Sequence, residues 1–140
     1  MRRCSVLRLV VDTNVIVSAL LKEQSVPAAA LQAILSTAEL LYDAHVLAEY
    51  AEVLQRPKFG AVDRARVAAL LERLRQVGTV VTHDLSRSFA GALRDASDAC
   101  FVDVALAGRA DAIVTGNIKD FPSDLGFEVL PPATILARLT

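Results

Sequence analysis

Short apolar runs recur along this chain, and each is separated from the next by a segment with helical periodicity. The runs cover residues 6–11, 40–42, 79–82, 112–115 and 127–130. The periodicity predicts helices near 14–22, 26–36, 45–55, 62–77, 97–108 and from about residue 132. Strands that alternate with helices form parallel sheets, because a parallel connection needs a long crossover. We therefore expect an α/β fold, with a parallel sheet of about five strands flanked by helices on both faces.

The runs VVD and AIVT show no polar and apolar alternation, which is typical of central strands buried on both faces. Apolar residues make up 54% of the chain but aromatic residues only 5%, so Ala, Val and Leu must build the core. The length of 140 residues suits one domain, and we expect it to cover residues 1–140.

Charge and composition exclude several classes of protein. With 15 basic and 16 acidic residues, the net charge of -1 creates no general attraction to nucleic acid or anionic lipid, so a phosphate-bearing partner must be held locally. Two isolated cysteines are too few for a disulfide framework or a zinc site. The apolar stretch near the N-terminus is short and meets Asp12, unlike a signal peptide or a membrane span. We expect a cytoplasmic protein without a membrane partner.

A carboxylate follows the first apolar run directly, in the stretch LRLVVDTNVIVSALL. Sites in parallel sheets form outside the carboxyl ends of the strands, where strand order reverses, and Asp12 is expected there. Thr13 and Asn14 follow it. An ordinary explanation also exists, since Asp, Thr and Asn are favoured before helices and Asn14 can cap the helix that starts at Val15.

The helix predicted at 45–55 carries the second candidate acid. Its apolar stripe consists of Val46, Leu47, Tyr50, Val53 and Leu54. Glu49 lies at the edge of that stripe, from which it can reach the rim of the sheet, whereas Glu52 points further toward solvent. A solvated glutamate on a helix face is the alternative for either residue.

The third acid lies in LRDASDACFVDVALAG, residues 93–108. Asp95 and Asp98 can be a capping pair at the start of a helix, without any function. The helical projection nevertheless places Asp98 between Phe101 and Val102, on the side facing the sheet, and Asp103 outside that side. A buried carboxylate needs a partner, and the stripe has no Lys or Arg, so a cation from solution is the simplest candidate.

The turn after the fourth run supplies further oxygen ligands. The strand is expected to end at Thr115, and Gly116, Asn117 and Asp120 follow, although Gly-Asn is also a common turn pair. Four segments thus bring oxygen ligands to one rim, namely Asp12, Glu49, Asp98, and Asn117 or Asp120. Hard oxygen ligands without a His or Cys cluster fit Mg²⁺ or Mn²⁺ better than zinc.

Together, the segments VVDTNVIVSAL, AEYAEVLQRPKF, RDASDACFVDVALAGRADAIVTGN and IKDFP resemble a PIN domain, in particular the small VapC-type toxins of toxin–antitoxin systems. The resemblance runs in order across almost the whole chain. It implies a metal-dependent endoribonuclease that cleaves RNA with Mg²⁺ or Mn²⁺. It also implies a cognate antitoxin protein as partner, and a homodimer, because the family commonly forms one.

The resemblance further implies the roles of individual residues. Asp12, Glu49 and Asp98 match the family's catalytic and metal-binding acids. Thr13, Asn14 and Thr115 match positions that support the site. The family's fourth acidic position is Asn117 here, which is a departure from the pattern. Either Asp120 takes its place, or the Asn117 carbonyl oxygen and water complete the metal's ligands.

Other interpretations remain open from the sequence. The departure at Asn117 is compatible with a non-catalytic RNA-binding or protein-binding scaffold whose nuclease site has decayed. An aspartyl-nucleophile phosphatase would need a second Asp where Asn14 stands, and a receiver domain would carry its Asp on a later strand. Six basic residues form either a patch that grips RNA or a solvated helix surface; they are Arg56, Lys58, Arg64, Arg66, Arg73 and Arg75.

Overall fold

A computed structural model describes residues 6–82, 99–122 and 124–140. Within these residues, five parallel strands form one sheet in the order β3-β2-β1-β4-β5. The strands are β1 (Arg8–Val11), β2 (Glu39–Tyr42), β3 (Thr79–Val80), β4 (Ala112–Val114) and β5 (Glu128–Leu130). The predicted parallel sheet is confirmed, although most of its strands are shorter than the apolar runs that indicated them.

The helices also follow the predicted pattern. They are α1 (Thr13–Leu21), α2 (Val26–Thr37), α3 (Ala44–Leu54), α4 (Arg64–Val77), α5 (Ala99–Ala107) and α6 (Pro132–Leu139). Short 3-10 turns occur at Pro57–Phe59 and Ile118–Asp120. The first two residues of the helix predicted at 97–108 lie outside the described residues. In the part of the chain that the structure describes, no helix is both long enough and apolar enough to cross a membrane.

The residues before α3 and α1 show how these two helices begin. The Asp43 carboxylate accepts the N–H of Val46 at the start of α3, over 2.8 Å. At α1 the extended residue before the helix is Asp12, so Asn14 lies inside the first turn. The prediction that Asn14 caps a helix starting at Val15 is therefore wrong, because the chain turns helical as soon as β1 ends.

Burial along β1 shows that both faces of the sheet are covered. Leu9, Val10 and Val11 each have 0% exposure. Since successive strand residues point to opposite faces, three consecutive buried residues require packed helices on both sides. Ile113 and Val114 of β4 are equally buried. β1 and β4 are thus interior strands of the sheet that are buried on both faces, as their apolar sequences predict.

The strand order creates a switch point between β1 and β4. The chain runs from β1 outward through β2 and β3, then returns to the other side of β1 to form β4 and β5. Val11 pairs with Val114, and the Asp12 N–H donates to the Val114 carbonyl over 2.9 Å. Asp12 and Thr115, which follow these strands, are consequently neighbours at the place where α/β sheets bind ligands.

A polar network holds the opposite, amino end of the sheet. The Arg8 guanidinium donates to the Gly108 carbonyl, at 2.7 and 3.0 Å, and to Glu39 at 3.1 Å. Glu39 also accepts the Thr79 hydroxyl over 2.8 Å, and Asp111 accepts the Arg8 N–H over 2.8 Å. This network links β1, β2 and β3 with the segment that enters β4. The charges of Arg8 and Glu39 are paired here, so this end of the sheet stabilises the fold.

We predict that Gly78→Ala destabilises the fold while Gly116→Ala does not. A Cβ at Gly78 would lie 2.6 Å from the Leu74 carbonyl oxygen and 2.8 Å from the Tyr42 ring. Such overpacking costs about 1–3 kcal/mol. A Cβ at Gly116 would have Asn14 Oδ1 as its nearest neighbour, at 3.9 Å, and should leave stability within about 0.5 kcal/mol of the parent. Urea denaturation of both variants measures the difference, and equal midpoints would contradict the prediction.

Candidate active site at the carboxyl ends of β1 and β4

The centre of the candidate site is the buried carboxylate of Asp12. Asp12 is 6% exposed, and its Oδ2 accepts the hydroxyl of Thr115 over 2.7 Å. The Thr115 hydroxyl in turn accepts the backbone N–H of Asn117 over 2.9 Å. A continuous hydrogen-bond chain therefore joins the end of β1 to the turn after β4.

The electrostatic environment of Asp12 disfavours its negative charge. Burial raises the pKa of the Asp12 carboxyl above its usual value, and the nearby negative charge of Asp120 raises it further. The hydrogen bond from Thr115 and the N–H groups of Thr13 and Asn14 act in the opposite direction without cancelling the rise. A charged carboxylate is therefore costly here unless a cation approaches it.

The turn after β4 distinguishes the two candidates for the fourth ligand. Asn117 is exposed and begins the 3-10 turn without a side-chain cap hydrogen bond. Asp120 is half-buried, and its charge acts on Asp12. The N–H of Gly116 donates to Asn14 Oδ1 over 3.4 Å, which ties the turn to α1. Of the two candidates, Asp120 is thus the residue that is electrostatically coupled to the buried carboxylate.

Thr13 is buried beside Asp12. Its side chain is 6% exposed, and its Oγ1 has no hydrogen-bond partner among the described residues. A buried hydroxyl without a partner is costly. A water molecule or ligand that reached this hydroxyl would remove that cost.

Helix α3 brings Glu49 and Tyr50 toward β1. Glu49 is half-buried, whereas Glu52 is exposed and forms an ion pair with Arg56 at 2.9 Å, which agrees with the predicted solvent-facing position of Glu52. Tyr50 is fully buried, and its hydroxyl donates to the backbone carbonyl of Val11. Sequence reasoning assigned Tyr50 only to the apolar stripe. The available signal was its polar hydroxyl, which needs a partner when a tyrosine is buried.

Two of the acids considered from sequence, Asp95 and Asp98, lie outside the described residues. Asp103 on α5 is described, and its predicted position outside the buried side is wrong, because it is 9% exposed. The helix is enclosed around most of its circumference, as the burial of Phe101, Val102 and Val104 shows. A single buried stripe was therefore the wrong assumption for α5.

Within residues 6–82, 99–122 and 124–140, no three Asp, Glu, His or Cys side chains are grouped closely enough to hold a metal ion. Asp98, the third acid of the predicted set, is not among these residues. The donors that the structure does place at this rim are the carboxylates of Asp12 and Asp120, with the amide of Asn117 nearby. Their chemistry fits a hard dication such as Mg²⁺ or Mn²⁺.

A depression of about 310 Å³ adjoins this rim. It is lined by Asn14, Val15, Ser18, Pro27, Gly116, Asn117 and Pro132. Its polar side chains come from the first turns of α1 and from the turn after β4. A ligand in this depression would contact Asn14 and Asn117, which lie two residues after Asp12 and Thr115 in the chain.

Several of the basic residues considered from sequence are engaged in local contacts. Arg56 pairs with Glu52, and Arg66 pairs with Glu23 at 3.0 Å. The Arg64 guanidinium donates to backbone carbonyl groups between α3 and α4, those of Leu54, Phe59 and Val62. These three side chains thus have structural partners that an RNA phosphate would have to displace.

A larger open groove, of about 800 Å³, lies away from this rim between α1, α2 and α4. Its lining is mainly apolar and includes Leu20, Leu31, Leu35 and Leu70. Arg66 and Arg73 of α4 also line it. The groove therefore offers an apolar surface bordered by charged side chains, of which Arg66 is paired with Glu23.

Comparisons with known proteins agree with this architecture. A family model described as PIN domain matches residues 8–119. The fold is similar to that of a chain in the crystal structure of VapBC2 from Rickettsia felis bound to a DNA fragment from their promoter, with a TM-score of 0.61 and 19% sequence identity. The similarity covers 89% of this chain and 98% of that chain. A comparison with curated proteins found no match.

We predict that Asp12→Asn stabilises the metal-free protein at neutral pH. Because the folded-state pKa of Asp12 is raised, the folded protein binds this proton more tightly than the unfolded chain, so the parent loses stability as pH rises above about 4. The Asn variant does not lose stability in this way, and its side-chain oxygen can still accept the Thr115 hydroxyl. In chelator, its melting temperature should exceed the parent's at pH 7, and the difference should shrink toward pH 4. A difference independent of pH would show that the Asp12 charge is not its cause.

Proposed function

The chain belongs to the PIN domain family, and on this premise we propose that it is a metal-dependent endoribonuclease and the toxin of a toxin–antitoxin pair. The observation that carries the proposal is the buried Asp12 carboxylate at the switch point of the sheet. Burial and the charge of Asp120 make that carboxylate costly in the absence of a cation. A dication would remove the cost, and it would also supply the positive charge that assists cleavage of a phosphodiester.

The proposed ligands of Mg²⁺ or Mn²⁺ are Asp12, Asp98 and Glu49, and these three acids are the proposed catalytic residues. Asp120 is the preferred source of a fourth ligand, since its charge already acts on Asp12, and Asn117 is the alternative. When bound, the metal would supply positive charge that polarises the scissile phosphate and makes water a stronger acid. In the reaction, water forms a new bond to phosphorus while the bond to the 3′ oxygen breaks.

The surrounding residues support these roles. The Thr115 hydroxyl orients the Asp12 carboxylate through its 2.7 Å hydrogen bond. Thr13, the next residue, has a buried hydroxyl without a partner among the described residues, and Asn14 and Asn117 line the depression in which the RNA backbone is proposed to lie. The net charge of -1 supplies no general attraction to RNA, so these local contacts must position the substrate.

The proposed partners are a cognate antitoxin protein and a second copy of the chain, in the cytoplasm. The similarity to a VapBC complex bound to promoter DNA supports an antitoxin. The apolar groove between α1, α2 and α4 is a surface that such a partner can cover. The whole chain, residues 1–140, is proposed to act as one domain.

We predict that the purified protein cleaves RNA with Mg²⁺ or Mn²⁺ and stops when a chelator is added. Asp12→Asn and Asp98→Asn should each lower the cleavage rate by at least about 100-fold, because each removes a charge that acts directly on the reacting groups. Glu49→Gln should also be severely impaired. Gel-based cleavage of a labelled RNA at saturating metal measures these rates.

Glu52→Gln is the matched control, because Glu52 lies on the same helix, three residues from Glu49, but is exposed and paired with Arg56. It should cleave like the parent. An equal loss in Glu52→Gln would contradict the assignment of Glu49. A folded parent that cleaves no RNA with either metal would instead support a binding scaffold with a decayed site.

We also predict that Asp120 and Asn117 are alternative sources of one ligand. Asn117→Asp adds a carboxylate and should lower the Mg²⁺ concentration needed for half-maximal cleavage. Asp120→Asn should raise it in the parent but less in the Asn117→Asp background, because neighbouring groups that share a role are not additive. Mg²⁺ titrations of the four proteins measure the coupling, and strictly additive effects would show that Asn117 is only a turn residue.

A further inference from the structure

Tyr50 is a fully buried residue at which three elements of the candidate site meet. It lies on α3, directly after Glu49, and its hydroxyl donates to the Val11 carbonyl, directly before Asp12. Its ring packs against Phe101 of α5, with 6.1 Å between ring centroids and 33° between ring planes. Phe101 is three residues beyond Asp98 in sequence. Tyr50 is thus adjacent to Glu49 in sequence and to the residue before Asp12 in space, and it packs on the helix that follows Asp98 in the chain.

We propose that Tyr50 is a positioning residue, which holds the backbone of β1 and α3 so that Asp12 and Glu49 present their carboxylates to one metal ion. This inference rests on the proposed function and adds to it a residue that touches neither metal nor substrate. Tyr50 acts through Asp12 and Glu49.

The hydrogen bonds around Asp12 give the physical basis. The Val11 carbonyl and the Asp12 N–H belong to one planar peptide group. The oxygen of this peptide group accepts the Tyr50 hydroxyl, and its N–H donates to the Val114 carbonyl over 2.9 Å. A peptide group held at both atoms has little freedom to rotate, so the Cα of Asp12 is held in place where the chain leaves β1. Thr115 then orients the side chain itself.

The hydroxyl of Tyr50 remains a donor under ordinary conditions. Burial raises the pKa of Tyr50 well above its usual range, and the negative charge of Asp12 adds to the effect. The hydrogen bond from its hydroxyl to the Val11 carbonyl, deep in the core, is the contact on which the proposed role depends.

Tyr42 provides a matched control for an ordinary buried tyrosine. It is 7% exposed, and its hydroxyl donates to the Arg75 carbonyl over 3.4 Å. It belongs to β2, and its ring lies beside Gly78 at the end of α4. Tyr42→Phe and Tyr50→Phe each remove one hydroxyl from a buried tyrosine that bonds a backbone carbonyl.

The test measures Mn²⁺ affinity of the full chain by the electron paramagnetic resonance signal of free Mn²⁺, without RNA. Tyr50→Phe should weaken Mn²⁺ binding about 10- to 100-fold, as loss of a residue that orients metal ligands typically does, whereas Tyr42→Phe should bind like the parent. In the cleavage assay at saturating metal, Tyr50→Phe should lower kcat with little change in KM for RNA. Melting temperatures in chelator report any purely structural cost of either substitution.

Equal Mn²⁺ affinities for Tyr50→Phe and Tyr42→Phe would overturn the inference, as would a parent protein that binds no Mn²⁺. A parent that binds Mn²⁺ but cleaves no RNA would refute the proposed function alone, and the affinity comparison would still decide the role of Tyr50.

If Tyr50→Phe does not fold, Phe101→Leu is the second variant, because it loosens the ring contact with Tyr50 and keeps the Tyr50 hydroxyl. It should weaken Mn²⁺ binding by a smaller factor, and affinity equal to the parent's would overturn the inference.

Discussion

The hydrogen bond between Thr115 and Asp12 lies where β1 and β4 end, and the arrangement of the rest of the site depends on it. A carboxylate that is 6% exposed can be retained there only if its oxygens have partners. Thr115 supplies one partner across the switch point of the sheet, over 2.7 Å. The same hydroxyl accepts the Asn117 N–H, so the turn that carries Asn117 and Asp120 is held against the end of β1.

The two ends of the sheet treat charge in opposite ways. At the amino end, Arg8 bonds to Glu39 and to a backbone carbonyl, so these partly buried polar groups have partners. At the carboxyl end, Asp12 and Asp120 lie within each other's field, and the pKa of Asp12 is raised chiefly by burial. The paired charges at the amino end thus stabilise the fold, whereas the buried charge of Asp12 at the carboxyl end destabilises it. This is the expected distribution when a binding site is placed at the carboxyl ends of parallel strands.

The sequence predicted the parts of the site that depend on the order of elements. Asp12 and Thr115 each follow a buried apolar strand, so their meeting at one edge follows from parallel pairing. Burial on α5 was predicted less well, because a helical projection assumes one buried side and Asp103 lies on a helix enclosed around most of its circumference. The prediction that Asn14 caps the first helix was wrong, because local propensity does not show at which residue a strand ends and a helix begins. The role of Tyr50 was missed because an apolar stripe does not show where a hydroxyl will bond.

By itself, the sequence determined the class of fold and the chemistry available to it. Apolar runs of strand length and a helical period of 3.6 residues predicted the order of strands and helices, and candidate oxygen ligands without a His or Cys cluster favoured Mg²⁺ or Mn²⁺ over zinc. Only the tertiary structure decided which groups interact. The coupling of Asp12 to Asp120, the Thr115 bond and the contact of Tyr50 with Val11 join residues 39 to 108 positions apart. Burial, hydrogen-bond geometry and electrostatic coupling depend on distances in space. These distances exist only once the chain has packed, so they cannot be read from the sequence.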